Sequence, residues 1–302
     1  MSATKFNKRI IDINRILNEY DSYFWTIPLL VGIIVITSLP LTYISAVFVG
    51  NSYPISLVSD VGAVLPARGY FSQSADAVAI LLVITAYLRC KQVEFHLFQQ
   101  FKLNHQNDND DDDNNNECTI TNGKTTTQTM IVMNKQLINE LNDRNYRYFI
   151  CMIITAFGFM LIGNFPSNDH LIEHAIGVIC VLFSLIYLFD QLYICQNLYD
   201  YGRIENRPLT LTIVTCLIVI AWIVTMPTIL IALFHHESTL LVFFDNNIRM
   251  KWTEDKPGAE WFKATVIAEW TALLSYSPIF LIISKRMYQF RKWKQIFQHN
   301  VK

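Results

Sequence analysis

Hydrophobic positions along this chain run together in six blocks, near residues 25–49, 70–88, 148–165, 171–194, 209–234 and 261–284, and the charged residues fall almost entirely between them. A soluble fold scatters its charges along every amphipathic face, so continuous apolar runs of this length predict segments that cross a bilayer. At 1.5 Å rise per residue the shortest block, roughly 18 residues, just spans a hydrocarbon core of about 30 Å. Helices are predicted rather than a barrel, whose strands would be about 10 residues long and alternating; a helix also satisfies its backbone polar groups internally. The expected fold class is an all-α membrane protein, one domain over residues 1–302 with six transmembrane helices.

Composition agrees: 52% of the 302 residues are apolar and 16% charged, against about 25% charged in an average soluble domain. Basic residues (Lys5, Lys8, Arg9, Arg15) precede the first block. Its length and the lack of a small-x-small cleavage site before Gly50 make it a signal anchor rather than a cleaved signal. Charge then sets the expected orientation. Of the 24 Lys and Arg residues, 19 lie in the N-tail, the second and fourth connections and the C-tail, leaving Arg68, Arg249, Lys251, Lys256 and Lys263 opposite. The positive-inside rule places the larger group, and both termini, in the cytosol. The six cysteines all fall in spans or on that side, so no disulfide framework is expected. Cys90 and Cys195, at helix ends, are weak candidates for acylation.

The strongest shift in composition is at 104–130, where runs of Asp (110–113) and Asn (114–116) meet a Thr-rich stretch (125–129). This loop is expected to be a disordered cytosolic tether, and it lacks the Gly and terminal Glu of a calcium loop. The tail after the last block carries Lys285, Arg286, Arg291, Lys292 and Lys294 with Tyr288, Phe290 and Trp293 interleaved and no acidic residue. It is expected to contact anionic lipid on the inner leaflet, each charge contributing about 1 kcal/mol. Membrane lipids, and cytosolic proteins engaging the tails and loop, are the expected partners, with no sign of nucleic acid.

Ionisable groups inside spans are costly and therefore informative. Asp76, Glu173, His174 and Glu269 all lie in the outer half of predicted helices, and Ser59, Asp60, Arg68 and Asn164 adjoin them. Asp190 stands apart near an inner helix end. The outer cluster of Asp60, Gly62, Asn164, Glu173, His174 and Glu269 suits a lipid-headgroup pocket or a buried network that fixes helix register. It also suits a lipid-processing site in which His174 is a general base oriented by Glu269 or Asp76. No G-x-S-x-G, HExxH or three-histidine set accompanies these residues, so neither a metal nor a cofactor is expected.

The segment from Pro54 to Ala63, with Ser59, Asp60 and Gly62 and followed by Pro66 and Phe71, resembles the PxISDxGxxxPE signature of the damage-regulated autophagy modulator (DRAM) family and its superfamily. Gly163-Asn164-Phe165 with His174 and Gly177, and Ala268-Glu269-Trp270 in the last block, resemble two further motifs of that family in the same order. The resemblance implies a six-helix protein of the lysosomal or endosomal membrane that modulates autophagy and cell death without established catalysis. Other branches of the superfamily act with a phosphatidylinositol 4-kinase at the plasma membrane, or on GPI-anchor lipids in the Golgi or endoplasmic reticulum. Asp60, Gly62, Asn164, His174 and Glu269 are the family residues kept here. Ala67 departs from the signature, which has Glu after the proline, and Asp76 is the candidate to replace that carboxylate.

Overall fold

A computed structural model describes residues 23–50, 55–110, 119–120, 128–129, 133–202, 206–235, 249, 252 and 255–299. Among the described residues, six long helices and one short one carry the fold: α1 Thr26–Phe48, α2 Val58–Val61, α3 Ala67–Asp110, α4 Lys135–Asn164, α5 Leu171–Gly202, α6 Leu209–His235 and α7 Ala259–His299. All but α2 are long and apolar enough to cross a membrane. Pro28 falls in the first turn of α1, where its missing N–H costs nothing, whereas Pro40, Pro227 and Pro278 lie inside their helices.

The six spans form a ring. Going round it, α5 packs on α4, α4 on α3, α3 on α1, α1 on α7 and α7 on α6, while α6 and α5 touch only sparsely and close it loosely. The Ser277 hydroxyl donates to Gly32 O at 2.8 Å and the Ser284 hydroxyl to Trp25 O at 2.7 Å. The start of α1 therefore lies beside the end of the apolar part of α7, and both chain ends leave from one end of the bundle.

Glycine permits the closest approach of helices. A Cβ at Gly158 would stand 2.7 Å from Gly177 O, and one at Gly177 would stand 3.0 Å from Leu161 Cβ. Small residues on both helices thus bring the α4 and α5 backbones together, the usual device where lipid supplies no hydrophobic drive. Outward faces are apolar, with Ile36 and Ile44 on α1, Ile80 on α3, Ile179 on α5 and Ile220 and Ile223 on α6 all exposed, as a lipid solvent requires.

Four helices, α3, α4, α5 and α7, outrun their apolar blocks. The 44 residues of α3 extend to about 66 Å, twice the hydrocarbon thickness, and α4 begins 13 residues before the block that starts at 148. Beyond Arg89 the first three of these keep a separate apolar core of Val93, Leu97, Met133, Ile138, Leu141, Ile194 and Leu198. Most of the tether expected at 104–130 lies outside the described residues. Within it, α3 continues to Asp110, and Thr119–Ile120 pairs antiparallel with Gln128–Thr129.

Candidate functional site

At the end of the bundle away from the chain termini, the short helix α2 is drawn into the ring by two carboxylates. Asp60, fully buried, accepts from Arg249 Nη2 at 2.7 Å and from Arg249 Nε at 3.1 Å. The same guanidinium donates to the Ser167 hydroxyl at 3.0 Å, so one arginine ties α2 to the α4–α5 turn. Burial pushes the Asp60 carboxyl above its ordinary range, and the Arg249 charge and hydrogen bonds oppose that rise. From α7, Glu269 Oε2 accepts from Val58 N at 2.9 Å, satisfying an orphan amide in the first turn of α2. Trp270 Nε1 donates to Ser56 O at 3.0 Å beside it.

Gly62 and Phe71 act as a pair. A Cβ at Gly62 would stand 2.7 Å from the Phe71 ring, so glycine there lets α2 lie flat on Phe71, which in turn faces a cavity. Lined from all six spans and α2, this cavity has room for the centres of water-sized groups amounting to about 90 Å³. Its walls are mainly apolar (Val35, Leu39, Val78, Phe159, Leu273 and others), and its polar groups are Ser38, Ser59, Ser74, His174, Glu269, Trp222 and Tyr276. No Lys or Arg is among the described lining residues. His174 Nδ1 lies 2.9 Å from Phe165 O. A carbonyl only accepts, so Nδ1 carries a proton and, in the neutral ring, Nε2 is left as an acceptor.

The rest of the expected cluster separates from this centre. Asn164 Nδ2 donates to Asp76 Oδ1 at 2.7 Å, and the Ser72 hydroxyl donates to Asn164 Oδ1 at 3.0 Å; Asn164 is exposed. Arg68 pairs with Asp169 at 3.2 Å across a partly exposed surface. Glu173 is half-buried in the first turn of α5 and is not among the cavity-lining residues, and Asp76 does not line it either. Ala67, where the family signature has Glu, is fully buried against Ala46 and Val61. Asp76 therefore does not stand in for that carboxylate: it is engaged on the α3–α4 contact. A backbone carbonyl, Phe165 O, holds the His174 imidazole, and Asn164 holds Asp76.

Arg249 is the site residue that sequence reasoning missed, having been counted only as an outer-loop charge. At the other end of the bundle, Thr85, Arg89, Gln92, His96 and Gln100 recur at spacings of three or four along α3 and are all essentially unexposed. Asn145 Nδ2 donates to Cys90 O at 3.0 Å. The Gln92 amide, Asn145 Oδ1 and the Tyr148 hydroxyl find no partner among the described residues. Each unmatched buried group in such a row costs about 1–3 kcal/mol, which the packing of α3–α5 around it has to offset.

Other expectations at this end change as well. Cys90 and Cys195 are buried, not surface thiols at helix ends. Arg286, expected to face anionic lipid, is buried and donates to Asn206 O at 3.1 Å, pinning the α5–α6 connection; Lys285 is exposed. The side chains of Arg291, Lys292 and Lys294 lie outside the described residues. Asp190 is gripped by Arg147 at 2.7 Å and Arg144 at 3.3 Å.

Comparison with curated proteins and with solved structures gave no match. A family model described as the Frag1/DRAM/Sfk1/Cwh43P N-terminal domain matches residues 23–288, nearly the whole ring of spans together with α2 and its buried ion pair. The chain is a multi-pass membrane protein belonging to the Frag1/DRAM/Sfk1/Cwh43P family.

Proposed function

We propose that the protein is a membrane modulator that works by holding the polar end of a lipid in the cavity at the centre of its ring, rather than by chemistry on that lipid. The observation that carries this is the cavity: every span contributes to its wall, and Glu269 among its polar groups is bonded to α2. Membrane depth and an apolar lining with few polar groups suit an amphiphile. In this reading the chain ends and the α3–α5 extension lie in the cytosol, supported by the 19 of 24 basic residues on that side. Lysosomal or endosomal modulation of autophagy is the favoured cellular role, on the Pro54 to Ala63 motif.

Locating a tagged protein and measuring autophagic flux on its loss tests that role. Endolysosomal location with altered flux is expected. Plasma-membrane location with unchanged flux would instead favour regulation of a phosphatidylinositol 4-kinase. His174 and Glu269 facing one cavity keep a lipid- or GPI-anchor-remodelling reading in view. His174→Ala is expected to leave lipid and GPI-anchor profiles unchanged at normal abundance, and a changed profile would support catalysis.

A further inference from the structure

The cavity's donors and acceptors specify more than an amphiphile, and the ligand class they point to rests on the lipid-holding role proposed for the same cavity. Its rim is acceptor-rich. Glu269 presents a carboxyl group, and His174, with Nδ1–H committed to Phe165 O, presents Nε2 as an acceptor in the neutral ring. Ser38, Ser59 and Ser74 add hydroxyls that accept or donate. The nearest cation, Arg249, has its fork engaged by Asp60 and Ser167. A phosphate head placed here would meet the Glu269 carboxyl with only Arg249, already paired with Asp60, near enough to offset it.

Deeper in the cavity the polarity reverses. Trp222, nine-tenths buried and part of the cavity wall, lies beside the Tyr276 hydroxyl, yet its Nε1–H has no well-aligned acceptor among the described residues. The Tyr276 hydroxyl bonds Ser184 and is also the group the Trp222 N–H faces, so the indole donor is poorly rather than wholly unmatched. An indole N–H can only donate, and an unmatched buried donor costs about 1–3 kcal/mol. The wall thus asks for a ligand that donates at the α2 end and accepts towards the middle of the membrane.

We infer that the cavity takes an acyl lipid with an uncharged hydroxyl head, the hydroxyl donating its one proton to Glu269 or to His174 and an ester or amide carbonyl below it accepting from Trp222. The head and its carbonyl lie within the cavity and the tails outside it. Those leave where the ring is most loosely closed, between α5 and α6, whose Val178, Val181 and Trp222 form that part of the wall.

The test uses the full-length protein in membranes carrying photoactivatable, clickable lipids matched in chain length. The probes are a diacylglycerol, an N-acylated amino alcohol and a phosphatidic acid. Labelled peptides are mapped by mass spectrometry. At least one hydroxyl-headed probe should label peptides containing Val178 to Val181 or Trp222 with at least about tenfold preference over phosphatidic acid. That ratio corresponds to about 1.4 kcal/mol, a modest penalty for a poorly shielded like-charge contact. The two hydroxyl arms distinguish a glycerol from an amino-alcohol backbone.

Ser38→Lys, which puts a cation on the rim, should reverse the preference. Equal or stronger labelling of these peptides by phosphatidic acid in the wild type would overturn the head-group assignment and leave the lipid-holding reading standing. Absence of labelling there by all three probes would remove both. If Ser38→Lys does not accumulate, Trp222→Phe, which replaces the indole N–H with a purely apolar ring, serves in its place. It should weaken hydroxyl-probe labelling severalfold, and unchanged labelling would overturn the carbonyl contact.

Discussion

At the scale of single residues, the Asp60–Arg249 pair is the most vulnerable to mutation because it is the most buried. Two charges out of water break even only with good geometry, but removing one partner strands the other, at about 3–5 kcal/mol. Arg249→Ala should therefore lower thermal stability in detergent by that order, whereas Asp60→Asn combined with Arg249→Gln should lose much less. The loss in Arg249→Ala should also shrink on acidification. Without its cation, Asp60 sits still further above the ordinary aspartate value of about 3.9, so the folded variant takes up a proton before the unfolded chain does. Its stability is then regained as pH falls below that raised value and lost again as pH rises through it. A thermal-shift series from neutral to mildly acid pH checks this, and a constant gap between variant and wild type would show that Asp60 is not the stranded charge.

Asp60 and Glu269 were legible as special from their place in or beside apolar blocks. Arg249 was not, because a charged residue in a loop is by default solvated. Its role depends on a contact across 189 residues of sequence. The one available hint was arithmetic: a buried aspartate on the poorly basic side has few cations from which to draw a partner. Gly62 was legible as a motif residue, but its physical reason, room for the Phe71 ring, needed coordinates.

Elements show the same division between what a run of residues can and cannot reveal. Each of the six blocks became a helix, because a continuous apolar run in lipid has few ways to satisfy its backbone other than helix. Their ends were less legible. Block 70–88 ended where Arg89 and Lys91 begin, and that marks where the hydrocarbon stops, not where α3 stops. Past that point the helix is sustained by packing among α3, α4 and α5 and by a buried face of Arg89, Gln92, His96 and Gln100. A polar seam with helical spacing looks like a solvated face until its neighbours are known.

The close crossing of α4 and α5 gives this scale its own prediction. Gly158→Leu forces a side chain against Gly177 O and Cys180 Cβ and should cost about 1–3 kcal/mol, the usual penalty for overpacking, read as lower melting temperature and lower abundance. Gly69, in α3 with nothing within 4 Å of where a Cβ would stand, is the matched control. Gly69→Ala should be neutral or stabilising by up to about 1 kcal/mol through helix propensity. Equal damage from both would mean that the crossing is looser than the glycine contacts imply.

For the whole molecule, an even number of spans and the pairing of α1 with α7 make one topological statement: both ends of the chain emerge from the same face. Trp25 O and the Ser284 hydroxyl, one at the start of α1 and the other towards the end of α7, are hydrogen-bonded at 2.7 Å, a contact no odd-numbered arrangement of spanning helices would make. The cytosolic face proposed for the chain ends rests on charge, the 19 basic residues including those of both tails and the connections on the same side. Protease-protection assays on sealed vesicles with a tag at either end should therefore give matching results, both tags cleaved from the cytosolic face and both protected from the other. A tag inserted between Asn51 and Pro54, in the connection leading to α2, should behave oppositely. Opposite behaviour of the two termini would break the six-span ring and with it the cavity. Matching behaviour from the non-cytosolic face would keep the ring but turn it over, so that the α2 site would face the cytosol and the α3–α5 extension would project to the other side.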